Sequence, residues 1–338
     1  MRKGKSPKKE LSTESPKKTT WVDLLGFDKD RARLRDLLSE ERLPTVILFE
    51  GKEGIAKSSL LFFLAALHFC SREDACGVCN SCQLIAANQH PDVLVIRGNG
   101  DSLKVSSISD ISEFISFAPQ TAAKHARRLV LIIDAEDLTT QAVNKLLKTL
   151  EEPSSSSRIF ISTAKIRHLL PTLLSRCIHW RLRPPTPHDV EKIVRRNFAD
   201  QQDLPNKEEL AEISQRFGNA PGKILHFLEK REVHNEAIEL LHCRSIGELL
   251  TLAENFKAQV DTRLFDFIQE FEYALNKLYR EAAMTRDLSR TGNIRERRVF
   301  LSELKLLLNK QKIALNPQLV IERLGLCNFQ TSRSDARV

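Results

Sequence analysis

Three stretches of this chain carry residue types at spacings that could do chemistry. GKEGIAKS, residues 51–58, nearly fits G-x-x-x-x-G-K-[S/T], a loop whose backbone N–H groups wrap phosphates at a helix N-terminus. Gly51, Gly54, Lys57 and Ser58 are in place: the lysine would neutralise the outer phosphates and the hydroxyl would ligate magnesium. Ala56 stands where the last glycine is expected. If that position needs a positive φ, its Cβ costs about 1–2 kcal/mol. RLVLIID then brings Asp134 to the end of an apolar run, where an aspartate orients magnesium. The glutamate that usually follows and polarises the attacking water is replaced by Ala135, so hydrolysis is expected to be lost. Strand alternation would place Glu136 on the side of Asp134.

The third stretch is Cys70, Cys76, Cys79 and Cys82, spaced C-x5-C-x2-C-x2-C. Four thiolates close a tetrahedral zinc shell and leave no open position for water, so the metal would be structural. Free buried thiols or another soft metal are the alternatives. His90 could serve as a substitute ligand, but it reads better as part of the turn before a strand. Cys177, Cys243 and Cys327 lie in apolar helical settings and read as packed, inert thiols.

The elements that must position these residues alternate. TVILFE is a short buried strand, followed by the glycine-bearing loop and the apolar helix SSLLFFLAALHF. HPDVLVI, RLVLIID and RIFIST are further strands; ISDISEFISFA and TQAVNKLLKTLE are helices between them, the latter stopped by Pro153. Residues 31–43 form a helix ahead of the first strand, closed by Pro44. This order predicts a three-layer α/β domain around a parallel sheet. After PPTP at 184–187 the pattern is wholly helical, with Thr186 as N-cap and Pro187 at the first helical position. From residue 236 the stripes Leu249, Leu252, Ala253, Phe256 and Leu264, Phe267, Ile268, Phe271, Leu275, Leu278 predict a packed helical bundle.

Composition bounds the partners. The 338 residues carry net charge +8, with 41% hydrophobic and 28% charged residues. The polar, basic stretch 1–20 has no apolar segment of an export signal and reads as a disordered tail. The cysteine cluster therefore points to a reducing, cytoplasmic setting. The positive charge favours acidic partners such as nucleic acid only weakly. Two tryptophans and two tyrosines give no stacking platform for a dedicated nucleic-acid binder.

The motifs together resemble bacterial sliding-clamp loader subunits of the AAA+ superfamily. WVDLLGFDKDRARLRDLL with RLPTVILFEGKEGIAKSSL looks like the family's opening, and the cysteines followed by HPD look like its inserted zinc module. NKLLKTLEEP (144–153) and LLPTLLSRC (169–177) resemble its two most specific stretches, and ALNPQLVIERLGL (314–326) is similar to the last helix of its collar. The resemblance implies an AAA+ domain over 21–183 with a zinc module at 70–90, a helical lid at 184–232 and an oligomerising collar at 236–330. It implies that Arg176 is an arginine finger aimed at ATP held by a neighbouring subunit, and that Thr163 occupies the sensor position. Gly222, beside Lys223, falls where the motor subunits carry a nucleotide-reading arginine. The broken acidic pair looks like the family's non-motor branch, a stator; an ATP-hydrolysing motor subunit of the tau/gamma kind is the alternative. Its expected partners are the tau/gamma and delta subunits of a hetero-oligomeric ring, the sliding clamp, and primed DNA touched indirectly or at phosphates. Zinc is the expected cofactor, with ATP and magnesium at its own loop an open point.

Overall fold

The computed structural model describes residue 21 and residues 24–97, 105–151, 156–199, 204–243, 245–254, 261–285, 294, 298–305 and 316–326. The tail at 1–20, Pro153, Phe256 and Cys327 lie outside the described residues. The chain divides into two compact units, residues 1–226 and 227–338. Among the described residues no helix is long and apolar enough to cross a membrane.

The first unit is built on a five-stranded sheet, β1 (Val46–Glu50), β2 (Val93–Arg97), β3 (Arg128–Ile133), β4 (Ser157–Thr163) and β5 (Ile178–Arg181), in the order β2-β3-β4-β1-β5. Every pairing is parallel, as strands separated by helices require. The helices are α1 (Asp28–Ser39), α2 (Lys57–Phe69), α3 (Asn80–Ala86), α4 (Val105–Ser116), α5 (Thr140–Glu151) and α6 (Pro171–Leu174), then α7 (Pro187–Asn197), α8 (Lys207–Phe217) and α9 (Pro221–Glu229). Alternation along the strands feeds two cores. Ile47, Phe49, Leu131 and Phe160 pack with α2 on one face. Val46, Leu48, Val130, Ile159 and Ile161 pack with Ile111, Ala142 and Leu146 on the other. Both faces being covered explains why β3 and β4 are buried along their whole length.

Two elements differ from the sequence expectation. Helix α1 spans Asp28–Ser39 rather than 31–43. Glu41 takes a left-handed conformation at φ 59°, while the Arg42 N–H bonds to the Leu37 carbonyl and the Glu41 N–H to that of Leu38. That Schellman closure stops the helix before Pro44 can. Strand β5 was not apparent from the sequence, because Ile178, His179 and Arg181 are all exposed on an edge strand and carry no apolar pattern.

The second unit has its own core. Leu249, Ala253, Leu264, Phe267, Ile268, Phe271 and Leu275 are buried together, and Leu252 and Leu278 pack against them, as the stripes predicted. Gly325 in the helix Pro317–Leu326 lets that helix approach closely, since a Cβ there would stand 2.1 Å from Leu249 Cδ1.

Helix α2 is tied to β4 by a buried pair. His68 Nδ1 lies 2.7 Å from the Leu64 carbonyl and so carries the proton there, leaving Nε2 to accept from Arg158 Nη1 at 2.8 Å. Burial, reinforced by the arginine, pushes His68 down to about 3, and burial lowers Arg158 to about 10. Burial also lowers His90 and His125. Below pH 6.5 the unfolded chain takes up protons that the folded histidines refuse, so stability is full above 6.5 and falls as the pH drops toward 3. From His68 alone the expected loss is on the order of 1 kcal/mol for each pH unit below that point. Urea midpoints measured across this range should fall with acid, and more shallowly in His68→Gln; an unchanged slope in the variant would refute the assignment.

Candidate functional site

The parallel sheet gathers the carboxyl ends of β1, β4 and β3, where ligands of open α/β sheets bind. The loop after β1 is held to β4 by the Gly51 N–H, which donates to the Thr163 carbonyl at 3.2 Å. Gly54 has φ 80°, and Ala56, capping α2, has φ 70°. The position therefore does need the left-handed region, and alanine occupies it with strain. Lys57 is buried, and its ammonium donates to the Lys52 carbonyl at 3.1 Å. Burial lowers its pKa, against the pull of Asp134 and Glu136.

β3 ends at Ile133, and Asp134 itself turns left-handed at φ 57°, its N–H bonded to Ser162 Oγ at 3.2 Å. Strand alternation therefore does not govern Glu136, which sits in a single 3-10 turn over Ala135–Asp137. It nevertheless reaches the site: Oε1 accepts the Ala164 N–H at 3.0 Å, and among the described residues Oε2 is buried without a hydrogen-bond partner. Burial raises the Asp134 carboxyl, opposed by Lys57 and reinforced by Glu136. Ala135 is buried and offers no polar atom. The Thr163 hydroxyl accepts the Lys165 N–H at 3.1 Å, closing off the strand end.

A cavity of about 340 Å³ brings Gly54, Ala56, Lys57, Ser58 and Asp134 together with Asn197, Pro221 and Gly222; Gly51 and Thr163 are not in its lining. The start of α9 lies directly on the loop. The Gly222 N–H donates to the Gly54 carbonyl at 2.7 Å, and a Cβ on Gly222 would stand 3.0 Å from that oxygen. Lys223 pairs with Glu53 at 2.8 Å and holds its carboxyl below the usual range. Arg176 follows α6 and is absent from this lining. Its Nη2 donates to Glu151 Oε1 at 2.6 Å and its Nη1 to the Thr172 carbonyl at 3.0 Å.

The four cysteines form one cluster, their Sγ atoms all within 4.8 Å of one another. Tetrahedral zinc with bonds of about 2.3 Å needs sulfurs about 3.8 Å apart, so the set fits the ion. The N–H groups of Arg72 and Cys76 point at Cys70 Sγ, and that of Cys79 at Cys76 Sγ, each at 3.4 Å, which suits thiolates. His90 is not a member. Its ring lies tilted against that of Phe69, 4.2 Å between centroids, and its Nδ1 accepts the Asp92 N–H. Asp92 in turn accepts from the N–H groups of Gln120 and Thr121 and pairs with Arg128 at 3.3 Å, a buried clamp on the strand entry. Cys177 and Cys243 are buried, and burial pushes Cys177 up to about 12, as inert thiols require.

Residues 28–186 match the family described as DNA polymerase III, delta subunit. Subunit delta' of Bacillus subtilis is 32% identical over 160 residues, covering 47% of this chain and 48% of that one. Subunit delta' of Pseudomonas aeruginosa is 37% identical over 134 residues, 39% and 40% of the two chains. Subunit tau of Salmonella typhimurium is 30% identical over 177 residues, 52% of this chain and 26% of its own. Over residues 28–186 the chain is similar to subunit delta' of DNA polymerase III. The chain spans about half the length of the delta' relatives it matches.

The delta-prime-like segment contains the phosphate loop, the cysteines, Asp134 and Arg176. Three contacts in the first unit were not legible in the sequence: Glu136 on Ala164, Glu151 on Arg176, and the Trp21 indole N–H on the Ala75 carbonyl at 3.0 Å. Each joins residues distant along the chain, and no local spacing signals them.

Two outcomes follow from this geometry. Ala56→Gly relieves left-handed strain of about 1–2 kcal/mol but loosens the unfolded chain by roughly 0.5–1 kcal/mol. Its urea midpoint should therefore rise by a net ~0.5–1 kcal/mol equivalent. For the cluster, the purified chain should carry one zinc ion, and strong chelation or Cys76→Ser should lower the melting temperature. A metal-free preparation with unchanged melting would refute it.

Proposed function

We propose that the chain is the non-hydrolysing stator of a hetero-oligomeric sliding-clamp loader, acting in the cytoplasm. It donates Arg176 to ATP held by a neighbouring tau/gamma-type subunit, and with a delta-type subunit helps place the clamp on primed DNA. Residues 21–183 serve as an AAA+ domain, 184–232 as its lid and 236–330 as the collar that assembles the ring. The single observation that carries this reading is the position of Arg176, partly exposed and outside the cavity formed by the chain's own loop. A guanidinium placed there is available to stabilise charge on a phosphate brought by another molecule.

The chain's own site supports the same reading. Ala135 supplies no base, and Gly222 sits so close to the Gly54 carbonyl that any larger residue there would have to push the loop aside by a few tenths of an ångström. Lys57, Ser58 and Asp134 nonetheless share one cavity, so nucleotide binding without turnover is the expected behaviour. Cys70, Cys76, Cys79 and Cys82 hold a structural zinc, which folds the module and takes no part in chemistry. Any DNA contact is to phosphates, and so weakens with salt and ignores sequence.

A motor role is the second reading, favoured by the Glu136 carboxylate acting on Lys57. Steady ATP hydrolysis by the purified chain would establish it and remove the stator. The direct test places the chain with motor subunits, a delta-type subunit, clamp and primed DNA. Arg176→Ala should lower ATP turnover at least tenfold, about 1.4 kcal/mol of transition-state stabilisation, with assembly intact. Unchanged turnover would show that Arg176 is no finger.

A further inference from the structure

Arg176 does not stand free. Its guanidinium is fixed at two points: Nη2 donates to Glu151 Oε1 at 2.6 Å, and Nη1 donates to the Thr172 carbonyl at 3.0 Å. Glu151 closes α5 and Arg176 follows α6, so the contact joins two segments 25 residues apart in sequence. The carboxylate is half exposed, and the arginine side chain is about one-third exposed, at 32%.

An ion pair this open adds little to stability, because solvent screens it and two long side chains must be ordered to make it. Its effect lies instead in where the guanidinium is held. A guanidinium has five N–H donors, and the two contacts leave the others for an external acceptor. An arginine on an unrestrained stem samples many rotamers, and ordering it at the moment of reaction raises the barrier.

We propose that Glu151 is a positioning residue for Arg176: it pre-orders the guanidinium on the surface, so that the group meets a neighbour's phosphate already oriented. This rests on the arginine-finger reading above. Glu151 touches no substrate and transfers no proton. Thr172 supplies the second point through its backbone, which substitution does not remove, so the carboxylate is the adjustable part of the arrangement.

The test uses the complete clamp loader with clamp and primed DNA, and measures ATP turnover by the neighbouring subunits for four chains: unmodified, Arg176→Ala, Glu151→Ala and Glu151→Gln. Glu151→Ala should lower kcat threefold to tenfold with KM for ATP unchanged and with assembly, followed by size-exclusion chromatography, intact. Glu151→Gln keeps an acceptor oxygen and should restore at least half of the lost kcat. A merely structural Glu151 would disturb assembly or melting and leave kcat of the assembled complex unmoved, which overturns the proposal. A rise in kcat for Glu151→Ala also overturns it, since the carboxylate would then be competing with phosphate for the arginine. Arg176→Ala separates the two levels: if it lowers turnover and Glu151→Ala does not, only the positioning role fails. If Arg176→Ala has no effect, the finger reading fails and takes this proposal with it.

Discussion

Helix α2 is the constraint on which both candidate sites depend. Ten of its 13 residues are buried, so it is apolar nearly all round and can lie only inside the first unit, against the sheet. Burying side chains of the size of Leu60, Phe63 and Leu64 contributes about 1.5–3 kcal/mol each, far more than any single polar contact at either end. The helix begins with Lys57 and is capped at its far end by Cys70, about 20 Å away at 1.5 Å per residue. One packed rod therefore sets the height of the phosphate loop and the first ligand of the cysteine cluster together. The buried His68–Arg158 contact fixes its rotation against β4.

That dependence explains what could be read from the sequence. The strands β1, β3 and β4 are buried on both faces, and such strands leave continuous apolar runs. The four cysteines were legible because their spacing is itself the chemistry. Edge strand β5 was not, because an edge need not be apolar, and α1 ended early because a glutamate took a conformation usually left to glycine. The alternation argument for Glu136 failed for a related reason. It assumed that the strand continued past Asp134, whereas a left-handed residue there turns the chain out of the sheet. Local rules predict a strand, but where it stops is decided by contacts such as that between the Asp134 N–H and Ser162.

The charges at the phosphate loop show how the fold carries a buried ammonium. Lys57 loses hydration on burial, and that loss is offset by the Lys52 carbonyl and by the nearby carboxylates of Asp134 and Glu136. Asp134 responds in the opposite direction, its carboxyl raised by the same burial that lowers the lysine. The three groups are electrically coupled, so Glu136 belongs to the site's electrostatics although its backbone position is not the one a strand would have given it.

The loop's residues also have structural reasons to be where they are. Gly54 receives the start of α9 on its carbonyl, and its missing Cβ leaves room for Lys223, whose Cγ would otherwise be met at 2.9 Å. Gly51 joins the loop to β4, and Lys57 closes the loop by donating to the Lys52 carbonyl. A chain that had given up hydrolysis would still lose packing, hydrogen bonds and an ion pair if these residues changed. The phosphate-loop motif is thus compatible with a site that turns nothing over, and its presence does not argue for a motor. Arg176 is different, because its partly exposed ion pair with Glu151 stabilises the chain little. Of the two motifs, the arginine is the one that this chain's own stability explains least.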